Sequence, residues 1–165
     1  MKLIFGCLMG LLADNCFCQV IPVEKAIMLA RRPFSEDSDY LYKDGWDYMR
    51  PLPDTSKYKI TFVWAFKFNK TTNNAASWLW TSREINTDTV FEIKEHIPKA
   101  DYARTVNELR LLKFKETGTY PHPNSVEKIF ERKHTIVELE SIVGTGNDGK
   151  FETRYVLDVL RLLAD

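Results

Sequence analysis

The sequence predicts an α+β or mostly-β fold. It centres on a curved antiparallel sheet of about six strands, either a partly closed barrel or a helix-backed sheet, with one or two short helices and a C-terminal β-hairpin. Three observations predict it. Phe62, Trp64, Phe66 and Phe68 recur at every second residue of Tyr58 to Phe68 (YKITFVWAFKF), the period of a strand. Thr135 to Val143 and Phe151 to Leu163 flank Asn147-Asp148-Gly149, turn chemistry that closes hairpins. Between these regions, Ser77 to Thr81 and Thr89 to Ile97 read as two further short strands.

Taken in order, Val23 to Ala30 has the pattern of about two helical turns, stopped by Pro33. Arg31 to Ser56 is acidic and turn-rich (SEDSD at 35–39, KDGWD at 43–47, Pro51 and Pro53) and reads as a long connection packed down by its aromatic residues. After the Tyr58–Phe68 strand, Asn69 to Asn74 is a turn. Ala100 to Leu112 fits a helix through Tyr102, Val106, Leu109 and Leu112, while its end merges into strand alternation. Ser125 to Lys133 reads as one or two helical turns capped by Ser125 or Asn124. In the last hairpin, a three-residue loop pairs Val143 with Thr153, Ser141 with Tyr155, Leu139 with Leu157 and Val137 with Val159. Glu138 and Glu140 then fall on the opposite, solvated face. No internal repeat or linker is evident, so residues 19–165 read as one domain.

The N-terminus differs from the rest. After Lys2, Leu3 to Ala13 is an apolar run of 11 residues, the length of a signal-peptide core and too short to span a bilayer. Cys16-Phe17-Cys18 places small residues at −3 and −1 of a cut before Gln19. Residues 1–18 therefore read as a signal peptide, and the mature protein as secreted or periplasmic. An apolar segment retained in the core is the alternative. All three cysteines (Cys7, Cys16, Cys18) fall in this leader, so a chain from Gln19 has no disulfide, thiolate zinc site or thiol nucleophile.

Over its 165 residues the chain carries 23 Lys+Arg against 23 Asp+Glu, so nothing favours a general nucleic-acid binder. No second apolar run predicts a stable membrane span. His96, His122 and His134 lack zinc-site spacing, and the acidic residues Glu36, Asp37, Asp39, Asp44 and Asp47 lack the spacing of an EF-hand. No phosphate-binding glycine loop or nucleophile elbow occurs. Asn69-Lys70-Thr71 is a glycosylation sequon for a eukaryotic secretory chain. These absences lean against an enzyme and imply no cofactor and no metal.

Trp78 and Trp80, two apart in a strand, share a face and would form a stacking platform for a sugar ring or an apolar ligand, with Trp64 and Trp46 as further candidates. Filling the core is the competing use of all four. The leading expectation is an exported, non-enzymatic protein that binds a small apolar or sugar ligand, or a partner protein, through this aromatic surface. The alternative starts from Arg31 or Arg32, Thr81-Ser82 and Glu138-x-Glu140. Their order resembles that of the arginine-type ADP-ribosyltransferases. The resemblance implies a secreted transferase or hydrolase, with an Arg on the NAD phosphates, a Thr-Ser strand supporting the pocket and Glu140 polarising the ribose.

Overall fold

Eight strands form one open antiparallel sheet in the order β1-β2-β3-β4-β8-β7-β6-β5. The structure is a computed structural model that describes residues 20–52, 58–145 and 151–161. The leader over residues 1–18 and the Asn147-Asp148-Gly149 loop lie outside the described residues. Along the chain come α1 (Val23–Leu29), α2 (Phe34–Lys43), β1 (Trp46–Leu52), β2 (Lys59–Phe66), β3 (Ser77–Glu84) and β4 (Val90–Ile97). There follow α3 (Lys99–Leu111), β5 (Lys115–His122), β6 (Ser125–Arg132), β7 (Thr135–Thr145) and β8 (Phe151–Arg161). The fold is thus mostly β, with more strands and helices than the sequence predicts, and the sheet is not closed into a barrel. Each half is a helix followed by a four-strand meander, α2 with β1–β4 and α3 with β5–β8, joined where β4 pairs with β8.

Each helix begins immediately after a proline, at Pro22, Pro33 and Pro98, where the fixed φ suits the first turn and no N–H is missed. Pro33 therefore both ends the first helix and opens the second. The acidic run expected to be a connection is α2: Glu36 and Asp37 sit in its first turn, where the helix dipole favours negative charge, and Lys43 sits in its last. Gly45, at φ 84°, turns the chain from α2 into β1. The helix α3 ends at Lys113 in the left-handed conformation, with the Phe114 N–H donated to the Leu109 carbonyl (2.9 Å) and both side chains buried.

The helical turns expected over 125–133 are strand β6 instead, paired with β5 on one side and β7 on the other. Its links are two-residue turns, Pro123-Asn124 and Lys133-His134, without the Asn-Gly or Asp-Gly signature, and two ladders override the segment's helical pattern. The β7–β8 pairing has Val143 opposite Thr153, Ser141 opposite Tyr155, Leu139 opposite Leu157 and Val137 opposite Val159, the register that the Asn-Asp-Gly turn implies. Both edge strands carry a proline and a register shift, Pro51 in β1 and Pro121 in β5, devices that blunt edge-to-edge pairing.

All three helices cover one face of the sheet. Phe34 stacks on Phe62 and Tyr42 meets Trp64 edge-on from α2, and Tyr102 of α3 lies against Tyr155 of β8. Leu29, Leu41, Leu79, Leu109, Leu139 and Val159 are fully enclosed between the layers. Ahead of α1, the Ile21 N–H donates to both carboxylate oxygens of buried Glu95 on β4 (3.1 Å each), and the Val23 N–H donates to Glu108 on α3 (3.1 Å). These carboxylates tether the start of the first helix to elements made much later in the chain.

Asp37 is enclosed in α2, and neither carboxylate oxygen has a hydrogen-bond partner among the described residues. Burial pushes its carboxyl up to about 7; Glu36 and Asp88 add to this, while Arg32 opposes it. A carboxyl raised on folding favours the native state when protonated, so its contribution is present below the ordinary value near 4 and is lost as pH rises through about 7. Thermal unfolding is therefore expected at a Tm roughly 5 °C higher at pH 5 than at pH 8, and Asp37→Asn should flatten most of that slope. An unchanged slope in the variant would assign the dependence to other carboxyls.

Candidate functional site

The sheet face without helices is the second surface that strand pleating creates. In β3, Ser77, Leu79 and Thr81 point to the core, so Trp78, Trp80 and Ser82 point away. Trp80 lies between Val63 of β2 and Lys94 of β4, and its ring centroid is 4.9 Å from that of His96. Trp78 faces Ala65, whose small side chain leaves room for the indole, and meets Phe68 edge-on at 6.1 Å. Phe68 reaches this face because Lys67, at φ 51°, reverses the alternation that keeps Phe62, Trp64 and Phe66 on the helix side. Both Trp78 and Trp80 are half-buried.

Three depressions meet at these rings, with volumes of about 570, 360 and 280 Å³. His96 lines all three, and Trp78 and Trp80 line two each. Partial burial, then the charges of Arg154 and Lys94, hold the His96 imidazole below its usual range, which favours its neutral form. A neutral imidazole offers one donor and one acceptor beside the indoles.

Charged groups flank the aromatic patch. Lys59 pairs with Glu92, and Lys94 pairs with Asp158 at 2.8 Å. Asp158 is only 6% exposed, and its second oxygen has no partner among the described residues. Burial raises its carboxyl despite Lys94. Directly opposite on β7, Glu138 is raised as well, by burial and then by the negative charge of Asp158. Glu138 is thus a half-buried member of this network and Glu140 is half-buried beside the 360 Å³ depression, neither part of a solvated stripe, because β6 and β8 flank them on both sides. The Thr61 and Ser82 hydroxyls bond each other at 3.0 Å, and both line the 360 Å³ depression with Lys59, Glu92, Lys94 and Glu140.

The four tryptophans do not come together. Trp64 and Trp46 point to the helix side and are each 1% exposed, with the Trp64 indole donating to the Thr81 hydroxyl at 3.0 Å. They build the core beneath the face that Trp78 and Trp80 occupy. Arg31 also lies on the helix side, donating to Thr135 at 2.9 Å, across the sheet from Glu138 and Glu140. Thr81 faces the core and Ser82 the open side. The residues shared with the ADP-ribosyltransferase order are therefore split between the two faces. His122 pairs with Glu127 at 3.5 Å, and His134 sits in the exposed β6–β7 turn. Among the described residues, no group of three His, Cys, Asp or Glu side chains is arranged to hold a metal ion.

Lys94 and Asp158 are absent from the sequence-derived candidates, and His96 enters there only as a zinc ligand without the spacing, although signals for all three existed. The alternation in β4 sets Glu92, Lys94 and His96 against Ile93, Glu95 and Ile97. Asp158 interrupts an apolar strand, VLDVL, and a lone carboxylate there demands a partner. Comparison of the chain with family models, curated proteins and solved structures returns no match.

Lys94→Met strands the Asp158 carboxylate, so it should destabilise the fold by roughly 2–3 kcal/mol, the 44% exposure of Lys94 keeping the loss below that of a fully buried pair. Adding Asp158→Leu should restore most of it. Denaturant unfolding of the single and double variants measures both, and a double variant no better than Lys94→Met would show that the charge pair is not the cause.

Proposed function

We propose that the chain is an exported, non-enzymatic binding protein whose helix-free sheet face takes a sugar ring. The observation that carries this is the pair of half-buried indoles, Trp78 and Trp80, bordered by groups that both donate and accept hydrogen bonds. An indole face stacks on the C–H surface of a sugar ring. Lys59 and Lys94 would donate to ring hydroxyls, Glu92 and Glu140 would accept from them, and Thr61, Ser82 and His96 can do either. A purely apolar ligand would desolvate these groups without bonding the donors and acceptors that their mutual pairs leave over, which favours a hydroxyl-rich one. Export rests on the leader over residues 1–18 and is the companion half of the proposal.

Two measurements test it. On a glycan panel, Trp80→Ala and Trp78→Ala should each weaken binding at least ~10-fold, about 1.4 kcal/mol, with unfolding midpoints close to wild type. Glu140→Gln should weaken it less, since one acceptor remains. Binding of no glycan by the wild-type protein would sink the sugar reading. Intact mass of protein expressed with its native N-terminus should correspond to a chain starting at Gln19, recovered from the exported fraction. An uncut cytosolic chain would overturn the export half alone.

A further inference from the structure

The helix-covered side holds a separate depression of about 350 Å³, where the end of α1 meets the end of α3 and the β6–β7 turn. Three guanidinium groups line it. Arg31 is anchored through Thr135 at 2.9 Å. Arg132 donates to the Leu112 carbonyl and lies 5.6 Å over the Phe114 ring. Arg32 is the third. Among the described residues, no carboxylate lies within ion-pair distance of any of the three. Glu24 is the one acidic group in the lining, and Arg32 also feels buried Asp37, so an excess of positive charge remains.

Between the guanidiniums the wall is apolar, from Ile27 and Met28 of α1 to Phe114 after α3. Each guanidinium carries five donors, and the internal hydrogen bonds of Arg31 and Arg132 take one each while fixing the side chains in place. Two anchored forks and a third cation suit an oxyanion, which guanidinium binds in a bidentate way. Like charges lining one depression repel one another, and an anionic occupant would relieve that repulsion.

We propose that this depression binds a single-chain anionic amphiphile. Its carboxylate or phosphate head would be held by Arg31, Arg32 and Arg132, and its apolar arm would lie along Ile27, Met28 and Phe114. The volume is at the small end of small-molecule sites, which suits a free single-chain molecule. The site is on the opposite side of the sheet from Trp78 and Trp80 and is independent of the sugar proposal.

Calorimetric titration of the full-length protein with decyl phosphate, decanoate, decanol and inorganic phosphate, all below micellar concentration, tests it. The two charged amphiphiles should bind one per chain, at least ~10-fold tighter than decanol or inorganic phosphate. The double variant Arg31→Gln, Arg132→Gln should lose ~10-fold or more. Because those two side chains also tie down Thr135 and Leu112, Arg32→Gln serves as a second variant. Its side chain makes no hydrogen bond among the described residues, and it should weaken binding about threefold in a protein that stays folded at the titration temperature, Tm falling only by what the lost attraction to Asp37 contributes. Decanol binding as tightly as decyl phosphate would overturn the proposal by removing the charge requirement. Inorganic phosphate matching decyl phosphate would overturn it by removing the apolar arm. Wild-type affinity in folded arginine variants would overturn it by removing the residues.

Discussion

The pairing of β4 with β8 holds the molecule together. Glu92 to Ile97 lie against Tyr155 to Leu160, segments about 60 residues apart, and among the described residues no other strand pair joins the two four-strand meanders. Neither meander could bury its helix side alone, because the enclosed residues of β4 and β8, Ile93, Leu157 and Val159, lie at that seam. The same register sets Lys94 opposite Asp158 and His96 opposite Val156. One ladder thus closes the core on one side and assembles the charged centre of the open face on the other. Contacts this remote in sequence carry a large loop-closure entropy, so the seam is also the slow part of folding.

The two faces of the sheet solve different problems with similar residues. On the helix side, aromatic rings are enclosed, and the Trp64 indole N–H is paired internally with Thr81 while that of Trp46 has no partner among the described residues. On the open side the indoles pack against neighbouring strand residues and Phe68, and no helix covers them. A half-buried tryptophan retains apolar surface in contact with water, which a ligand can cover at little cost in conformational freedom, since the strand already fixes the backbone. The buried carboxylates Glu95 and Asp158 work against stability, since burial disfavours their charged forms. Glu95 is retained where it receives a backbone N–H, and Asp158 where it meets a lysine. Both are positions at which distant elements must be held in register.

Legibility in the sequence followed the locality of the signal. The β7–β8 hairpin was readable to the residue, because Asn147-Asp148-Gly149 and the alternation of Val137 and Leu139 agree. The β2 strand was readable from its aromatic alternation, up to Phe68, where the left-handed Lys67 turns the chain over. Strand β6 was not, since SVEKIFER has no strand period of its own and becomes extended only between two partners. The second helix was hidden by its own start signals: serines and acidic residues after a proline read equally well as a loop or as a first turn. At the site, Trp78 and Trp80 were legible as a same-face pair. That Trp64 and Trp46 lie on the other side depends on which face the helices cover, which only strand order decides. Lys94 and Asp158 are neighbours solely through a ladder that joins segments about 60 residues apart, a relation that no local pattern carries.

The central place of β8 bears on how the polypeptide is made. In chain order it is the last of the described strands, yet it sits between β4 and β7 rather than at an edge. A ribosome would deliver β1 to β4 and then β5 to β7 as two ribbons, each with an unpartnered strand waiting for the same absent neighbour. The tether from Ile21 to Glu95 can form during synthesis, but the final layer cannot close until β8 has emerged. Closure of the core therefore waits for β8, and until that strand has left the ribosome β4 and β7 each present an open ladder to solvent.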